Sequence, residues 1–385
     1  MNIYRFLRTS VSERRQLREF IALSNKIRAG GTDDSGYSIE DVKRSLSRKT
    51  MERRQFIVSG GQPVVAGFGA MESWQRNGMW KGFHEVSDFH LHEVPHEKLP
   101  GARSDDHERE IKASTFLSFI DELEKKVEVT CAYFYHSGRH ISDELINELH
   151  HRGIWTIIMS LDDNHQFSNP KCKRTGEPHQ LRVARQVDLY WTTWKAGTEL
   201  VKRVGGNPWY GGMAANEEFY RPLGLDRDLD VVFIGANYGI RKTLVEKLRG
   251  YGVDVHGFGF GWPNGPVSPE EMVRLYSRAK IVLGTGVVGY MAGVKHLKGR
   301  DFEVPMCGAL YLTSYNPELC DFFDIGKEII CYGSIEESVE LIRWFLCNPK
   351  ESENIRTSAR KRSIRDHTWE NRLKNMFDLW SNTKG

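Results

Sequence analysis

The sequence predicts an α/β protein with two domains, each built on a parallel sheet. The chain has 385 residues, and a single hydrophobic core rarely grows beyond about 250–300 residues. In residues 127–159, and again in residues 231–283, β-prone apolar runs alternate with amphipathic helical segments. This alternation is typical of β-α-β units. No apolar run reaches the roughly 20 residues of a membrane-spanning helix.

The N-terminal extension, residues 1–54, predicts two amphipathic helices, of which the second begins at Ser38. Residues 1–60 contain 13 Lys and Arg against 7 Asp and Glu, although the net charge of the whole chain is only +3. Such a basic face is most often solvated. The alternative is a surface for a polyanion such as DNA, or for a membrane leaflet.

The six cysteines are scattered along the chain and form no C-x-x-C pair. This favours reduced thiols, a cytoplasmic location and no zinc site. The first twenty residues have no apolar core of a signal peptide, which agrees with that location.

The β-α-β unit at 127–159 predicts where the first domain binds a ligand, because ligands of parallel sheets lie at the carboxyl ends of the strands. The loops there contain His136, His140, Asp162 and Asp163. Each of these side chains is a candidate general base. Each also fits a plain structural role, as a turn cap or a hydrogen-bonded loop residue.

The second domain opens with a strand at 231–234, followed by a loop with Gly235 and Tyr238 and a helix start with Arg241 and Lys242. Free backbone N–H groups at a helix N-terminus, together with basic side chains, favour an anion. This loop is therefore a candidate phosphate site.

A second basic and acidic cluster lies in residues 297–313. Lys298 and Arg300 precede Glu303, and Cys307 and Gly308 lead into an apolar strand. A guanidinium suits a diphosphate, and a carboxylate suits ribose hydroxyls. The alternative is a solvated helix end followed by a buried strand.

Four sequence patterns in the last third of the chain carry a family resemblance. They are R-x-F-E-x-x-x-C-G-A at 300–309, T-S-x-x-P-E-L-x-x-F-F at 313–323, G-K-E-I-I at 326–330 and H-T-W-x-x-R at 367–372. Together they resemble the C-terminal half of the group 1 glycosyltransferases, and within these the CgeB-like (spore maturation protein) branch. The resemblance is good over 230–380, loose over 127–222 and missing over the first hundred residues.

The resemblance implies the GT-B fold, in which two Rossmann-like domains face each other across a cleft, here with a helical basic N-terminal extension. The expected divisions are an extension (1–54), an acceptor domain (55–224), a nucleotide-sugar domain (225–365) and a terminal helix that crosses back to the first domain (366–385). The implied reaction moves a sugar from a nucleotide diphosphate sugar, with UDP-sugars first, to an acceptor hydroxyl without metal or cofactor. The acceptor stays open among nucleic acid with a modified base, polysaccharide, glycolipid and protein.

The residue chemistry and the resemblance together predict roles for individual residues. In the family the basic residue of the loop after the first strand of the second domain faces the donor diphosphate, and here Arg241 or Lys242 occupies that place. The expected catalytic residues are Arg241, Lys298 and Arg300 as fixed cations, with Asp163 and His136 as the preferred base candidates. The implied donor-binding residues are Gly235, Tyr238, Lys242, Glu303, Cys307 and Gly308.

Two alternatives compete with this interpretation. Gly284–Gly289 is a literal G-x-G-x-x-G after a strand, with Glu303 19 residues beyond Gly284, which is close to a dinucleotide-binding fingerprint and would indicate an NAD(P)-dependent oxidoreductase. Against it, the motif follows at least two earlier strands of its domain, whereas a true fingerprint occupies the first β-α-β unit. The other alternative is a sugar-nucleotide-binding protein without catalysis.

Overall fold

The computed structural model describes residues 38–57, 61–71, 75–95, 99–163, 179–288 and 291–380. The chain divides into two compact units. The C-terminal unit contains Met213–Arg372 and Asn77–Met79, and the N-terminal unit contains the described residues of 38–76, Trp80–Gly212 and 373–380. Each unit has one all-parallel sheet with helices between its strands, which confirms the predicted α/β, two-domain fold class.

The sheet of the N-terminal unit has six strands in the order β2-β1-β3-β4-β5-β6, and all of its neighbouring pairs are parallel. The strands are β1 (Val64–Gly69), β2 (Asp88–Glu93), β3 (Cys131–Tyr135), β4 (Trp155–Ser160), β5 (Leu189–Thr192) and β6 (Pro208–Tyr210). Nearly every residue of β1, β3, β4 and β5 is buried, because a parallel sheet is covered by helices on both faces.

The helices of this unit are α1 (Ile39–Ser47), α2 (Lys81–Val86), α3 (Asp105–Glu124), α4 (Asp143–His151), α5 (His179–Ala184) and α6 (Lys195–Arg203). Ser142 caps α4, because its hydroxyl accepts a hydrogen bond from the amide of Leu145 and so satisfies a free N–H of the first turn. Phe116 of α3 packs edge-on against Phe68 of β1 and Phe134 of β3. These rings form the centre of the core of this unit.

The sheet of the C-terminal unit has five strands in the order β13-β12-β9-β7-β8, again all parallel. They are β7 (Leu229–Ile234), β8 (Val255–Phe258), β9 (Ala279–Leu283), β12 (Tyr311–Ser314) and β13 (Ile330–Tyr332). A separate antiparallel ribbon pairs β10 (Val287–Val288) with β11 (Met291–Lys295). The first strand of the unit, β7, lies inside the sheet, so its carboxyl end is flanked by strands on both sides.

The helices of the C-terminal unit are α7 (Ile240–Gly250), α8 (Pro269–Arg278), α9 (Arg300–Met306), α10 (Ile335–Cys347), α11 (Pro349–Asp366) and α12 (Trp369–Phe377), whose last residues belong to the N-terminal unit. Ser268 and Ser334 cap α8 and α10, as their positions before acidic first turns predict. Among the residues that the structure describes, no helix is long and apolar enough to span a bilayer.

The division between the units falls at Gly212 and Met213, upstream of the polar stretch at 223–230 where the sequence suggested a boundary. The reason is that residues 213–222 pack with the C-terminal unit. Ala215 forms a parallel bridge with Thr368, and the hydroxyl of Tyr220 donates a hydrogen bond to Glu303. Both contacts are far apart in sequence, so no local pattern indicates them.

The described part of the basic extension is tied into the N-terminal unit by ion pairs. Lys49 and Arg53 both pair with Asp188, which is fully buried. Burial alone would raise the pKa of Asp188, but hydrogen bonding to His150 and the charges of Lys49 and Arg53 hold it well below its usual value. Arg54 pairs with Glu124. Three of the basic side chains that the sequence offered to a polyanion are therefore paired with carboxylates inside this unit. The first predicted helix lies in residues 1–37, outside the described residues.

Residues 373–380 add an aromatic ring, that of Trp380, to a cluster next to the same extension. The ring of Trp380 stacks on Phe56, with ring centres 4.1 Å apart, and meets Trp155 edge-on at 5.5 Å. The indole of Trp155 donates a hydrogen bond to the carbonyl of Arg54. The end of the chain and the segment before β1 thus stabilise one another within the N-terminal unit.

Candidate active site

Two arginine side chains converge at Gly235, directly after β7. A Cβ atom at Gly235 would lie 3.2 Å from Nη2 of Arg300 and 3.4 Å from Nη1 of Arg241. Gly235 has φ 151°, and the missing side chain leaves the space into which both guanidinium groups reach. The carboxyl end of β7 therefore carries two positive charges side by side.

Arg241 is held in place by its own loop. It lies in the first turn of α7 with 7% of its surface exposed, its guanidinium stands 4.4 Å from the ring centre of Tyr238, and Nη1 donates to the carbonyl of Ala236 at 3.2 Å. The contact with the ring face is a cation–π interaction. The sequence predicted that Arg241 and Tyr238 belong to this loop, and in the structure their side chains are in contact.

Arg300 begins α9, and its guanidinium lies 5.6 Å from the ring centre of Phe233. Its Nη1 atom is buried and has no hydrogen-bond partner among the described residues. A buried cationic N–H without an acceptor is costly. An anionic ligand at Gly235 would remove that cost, which makes this a phosphate-binding geometry.

Glu303 lies one turn after Arg300 on α9. Its Oε1 accepts a hydrogen bond from the Tyr220 hydroxyl at 3.0 Å. The carboxylate can lean back over Gly299, where an added Cβ would come within 3.0 Å of the same oxygen. Burial raises the pKa of Glu303 to about 7, against the opposing effects of the Tyr220 bond and the Arg300 charge. Near pH 7 this group is therefore poised between acid and carboxylate.

Asp301, between these two residues, is a site residue that the sequence analysis missed. Its Oδ2 accepts from the backbone N–H of Lys298 at 2.7 Å, and its Oδ1 accepts from the hydroxyl of Tyr311 at 2.6 Å. Burial raises the pKa of Asp301. These bonds fix the turn that enters α9 and so position Arg300. The signal lay in the run Arg-Asp-Phe-Glu, but its partner Tyr311 is visible only in the fold.

The other residues expected at this site occupy different positions. The side chain of Lys298 is partly exposed, and its backbone N–H belongs to the turn held by Asp301. Lys242 is exposed on α7 and pairs with Glu246, with Nζ and Oε1 3.6 Å apart. Cys307 is fully buried, and burial raises the pKa of its thiol.

Gly308 follows with φ 61°, a left-handed conformation that glycine adopts without strain. An added Cβ there would lie 3.2 Å from Cγ of Pro222. Cys307 and Gly308 thus form the turn between α9 and β12.

The glycine motif at 284–289 does not open a helix. It follows β9 and enters the antiparallel ribbon of β10 and β11. A dinucleotide-binding fingerprint needs a helix N-terminus directly after its glycines, since that terminus holds the pyrophosphate. The oxidoreductase alternative therefore loses its structural basis.

The N-terminal unit has its own cavity at the carboxyl ends of β3 and β4. Its volume is about 320 Å³. The described residues that line it are Tyr135, His136, Ser137, Met159, Ser160, Leu161, Asp162 and Gln180. Asp162 has φ 54°, a left-handed conformation that is uncommon for a residue with a side chain and often marks a functional loop. This is the edge at which the sequence predicted a ligand.

The two preferred base candidates of this unit are both engaged by the protein. Nδ1 of His136 accepts from the backbone N–H of Ser137 at 3.0 Å, and Nε2 lies 3.2 Å from the carbonyl of Pro95. Because a carbonyl only accepts, Nε2 carries the proton and the ring is neutral. The hydroxyls of Tyr190 and Thr192 both donate to Asp163. Asp163 is fully buried, and burial raises its pKa to about 6.

Solved structures of other proteins share this fold. Sucrose-phosphate synthase from Thermosynechococcus elongatus is 12% identical over 83% of this chain and 98% of that chain, with a TM-score of 0.56. HepE from Anabaena in complex with UDP is 9% identical over 82% and 99%, with a TM-score of 0.54. AviGT4, a glycosyltransferase involved in avilamycin A biosynthesis, is 13% identical over 83% and 98%, with a TM-score of 0.51. The chain thus has the GT-B fold of glycosyltransferases.

The C-terminal part of the sequence is similar to one protein family. Residues 241–378 match the family described as "Glycosyl transferase-like", and this segment includes α7, α9 and the arginines that meet at Gly235. Over these residues the chain is similar to that family. No functionally curated protein matches the sequence.

Proposed function

We propose that the protein transfers a sugar from a UDP-sugar, and that its C-terminal unit binds this donor. The convergence of Arg241 and Arg300 on Gly235 carries the proposal, since both arginines lie in the segment that matches a glycosyltransferase-like family. A diphosphate is a doubly charged anion, and planar guanidinium groups bind its oxygens well. The choice of uridine is supported by structures of a protein of similar fold, HepE, with UDP and with UDP-glucose.

The positive charge of the two arginines is needed most in the step in which the bond between the sugar and UDP breaks. The bond between the anomeric carbon and the β-phosphate oxygen breaks, and its electron pair leaves with UDP. The acceptor oxygen bonds to that carbon and gives up its proton. Negative charge therefore grows on the diphosphate in the transition state, where Arg241 and Arg300 stabilise it more strongly than in the bound substrate.

Glu303 supplies the ribose contact in this proposal. Its ionised carboxylate would accept hydrogen bonds from the ribose hydroxyls. A charged carboxylate accepts such bonds more strongly than a protonated acid does. Its place one turn after Arg300 on α9 supports a single ligand that reaches both side chains.

We further propose that transfer needs no divalent metal. Two fixed guanidinium groups provide the charge that a metal would otherwise supply to the diphosphate. Chelation by EDTA should then leave the rate unchanged.

The acceptor is assigned to the cavity of the N-terminal unit, in line with a CgeB-like transferase. The cavity lies at the carboxyl ends of β3 and β4 and is lined by hydroxyl, amide and carboxylate groups. Of the base candidates, Asp162 and His136 line it, but both ring nitrogens of His136 are already used. Asp162 is therefore the preferred group to take the proton from the acceptor hydroxyl.

The test is to incubate the full chain with UDP-glucose, UDP-galactose and UDP-N-acetylglucosamine, with and without EDTA, and to measure released UDP. Slow release to water, or faster release with a glycoside acceptor, is expected for at least one donor, unchanged by EDTA. Binding of UDP-sugars without any release would favour the non-catalytic alternative. Thermal stabilisation by NAD(P) but not by UDP would overturn the proposal.

A further inference from the structure

We propose that Tyr220 is a positioning residue for the donor: its hydroxyl orients Glu303 and favours the charged carboxylate, the form that accepts hydrogen bonds from ribose. The inference rests on the proposed donor-binding role of Glu303. Tyr220 lies 83 residues before its partner in the sequence.

The phenol ring of Tyr220 is fixed before any ligand binds. Only 3% of its surface is exposed, and its ring meets Phe219 edge-on with centres 5.1 Å apart. Its backbone N–H donates to the carbonyl of Asn216 at 2.8 Å, and its own carbonyl accepts from Nη1 of Arg360 at 3.3 Å. A hydroxyl on such a rigid frame directs its hydrogen bond to one place, Oε1 of Glu303.

The segment that carries Tyr220 is anchored in the same way. The side-chain oxygen of Asn216 accepts from the backbone N–H groups of Glu218 and Phe219 at 3.0 and 2.9 Å. This closes a turn just before Tyr220. Ala215, next to Asn216, bridges to Thr368. The hydroxyl therefore approaches Glu303 from a part of the fold separate from α9.

Several charged and titratable groups act on the pKa of Glu303, and burial has the largest effect. Burial and the neighbouring Asp301 favour its protonated form, whereas the bond from Tyr220 and the charge of Arg300 favour its ionised form. Tyr276 of α8 and Cys307 also face Glu303, and burial raises the pKa of both well above neutral, so both stay uncharged. Because the pKa of Glu303 is about 7, removal of one stabilising bond changes its charge at neutral pH.

The experiment compares the pH profile of UDP binding in the wild-type chain and in Tyr220→Phe, measured by isothermal titration calorimetry from pH 6 to pH 9. In the wild type, binding should weaken as the pH falls through about 7. In Tyr220→Phe the midpoint should move to higher pH, because the hydrogen bond that favours the ionised form is missing. At pH 7 the variant should bind UDP about fivefold more weakly, and at pH 9 almost as well as the wild type.

A matched control is Tyr332→Phe, which removes a hydroxyl of similar burial in the same unit. That hydroxyl donates to the carbonyl of Gly284 at 2.9 Å instead of to a carboxylate. Its loss should leave the midpoint of the pH profile unchanged. A carboxyl-carbon NMR titration of Glu303 in the free protein gives a second readout, and its midpoint should also rise in Tyr220→Phe.

The outcomes separate this inference from the function on which it rests. If the wild type binds UDP and both variants keep its pH profile, Tyr220 has a merely structural role, while the proposed function stands. If the wild type binds no UDP at any pH, both the function and the inference are wrong. A shift in Tyr332→Phe equal to that in Tyr220→Phe would also overturn the inference.

Discussion

The carboxyl ends of the two parallel sheets share their architecture and differ in charge. In the C-terminal unit the guanidinium groups of Arg241 and Arg300 meet beside a glycine. In the N-terminal unit the corresponding edge has a cavity lined by Asp162, His136 and neutral polar groups. Under the proposed function, one edge binds an anion and the other binds a hydroxylated ligand. The loops after the strands, and not the sheets, decide which ligand each unit can bind.

Two carboxyl groups with raised pKa values sharpen the comparison. Glu303 and Asp163 both have pKa values raised by burial, to about 7 and about 6. Asp163 is fully buried and receives the hydroxyls of Tyr190 and Thr192, whereas Glu303 is partly exposed beside Arg300. We therefore expect a structural role for Asp163 and a ligand-binding role for Glu303.

The largest effect should come from Arg300→Ala. It removes a cation that acts on the departing diphosphate, so kcat/KM should fall by roughly 10² to 10³. Initial rates of UDP release measure this. Arg274→Ala is the control, since Arg274 is an exposed arginine of the same unit that pairs with Glu271. A loss of kcat/KM below tenfold for Arg300→Ala would contradict the proposal that this arginine stabilises the departing diphosphate.

Asp163→Asn should change the pH dependence of stability. The pKa of Asp163 is about 6 in the folded protein against an ordinary value of 3.8, so the folded state holds this proton more tightly than the unfolded chain. Its contribution stabilises the fold at low pH and is lost as the pH rises from about 4 through 6. It amounts to at most about 3 kcal/mol.

Urea unfolding at pH 4.5 and pH 7 measures that contribution. The wild type should lose this stability on going to pH 7, and Asp163→Asn should not. Asp121→Asn, which changes an exposed carboxylate of the same unit, should behave like the wild type. An equal pH dependence in all three proteins would contradict the structural role of Asp163.

Glu303→Gln should weaken donor binding more than it slows the chemistry. Without the charge, UDP should bind about tenfold more weakly at pH 8, and the change in affinity between pH 6 and pH 8 should disappear. Calorimetry gives both values, with Glu246→Gln on the exposed face of α7 as the control. If kcat falls more than affinity, Glu303 acts on the transition state and not on the ribose.

The smallest effect is expected for Lys242→Ala. The sequence assigned Lys242 to the donor, but its side chain is exposed and pairs with Glu246. The KM for the donor should change by less than about threefold, since exposed ion pairs contribute little. A tenfold rise in the KM for the donor would show that Lys242 does contribute to donor binding.

The sequence was most informative where local pattern decides structure. Ser142, Ser268 and Ser334 each precede an acidic first turn and cap α4, α8 and α10, a pattern that is visible in the sequence alone. The alternation of apolar runs with helical segments correctly indicated parallel sheets. The sequence also showed that Arg241 follows β7 closely and that Glu303 lies three residues after Arg300. Both relations depend only on residues near each other in the chain, so a local pattern can indicate them.

The sequence could not indicate contacts between distant segments. Tyr220 reaches Glu303, and Tyr311 reaches Asp301, through packing that no single-sequence pattern encodes. The same limit applies to the glycines at 284–289, whose spacing fits a dinucleotide loop although the following residues form an antiparallel ribbon. Local pattern thus identified the charged groups, and tertiary packing determines which of them meet.

The most direct test of the account is to compare UDP and uridine as ligands of the wild-type chain and of Arg300→Ala by calorimetry. If Arg241 and Arg300 bind a diphosphate at Gly235, the wild type should bind UDP at least about a hundredfold more tightly than uridine. This is a difference in binding free energy of about 2.7 kcal/mol. Arg300→Ala should lose most of that advantage. Equal affinity of the wild type for UDP and uridine, or an undiminished preference in the variant, would contradict the central claim.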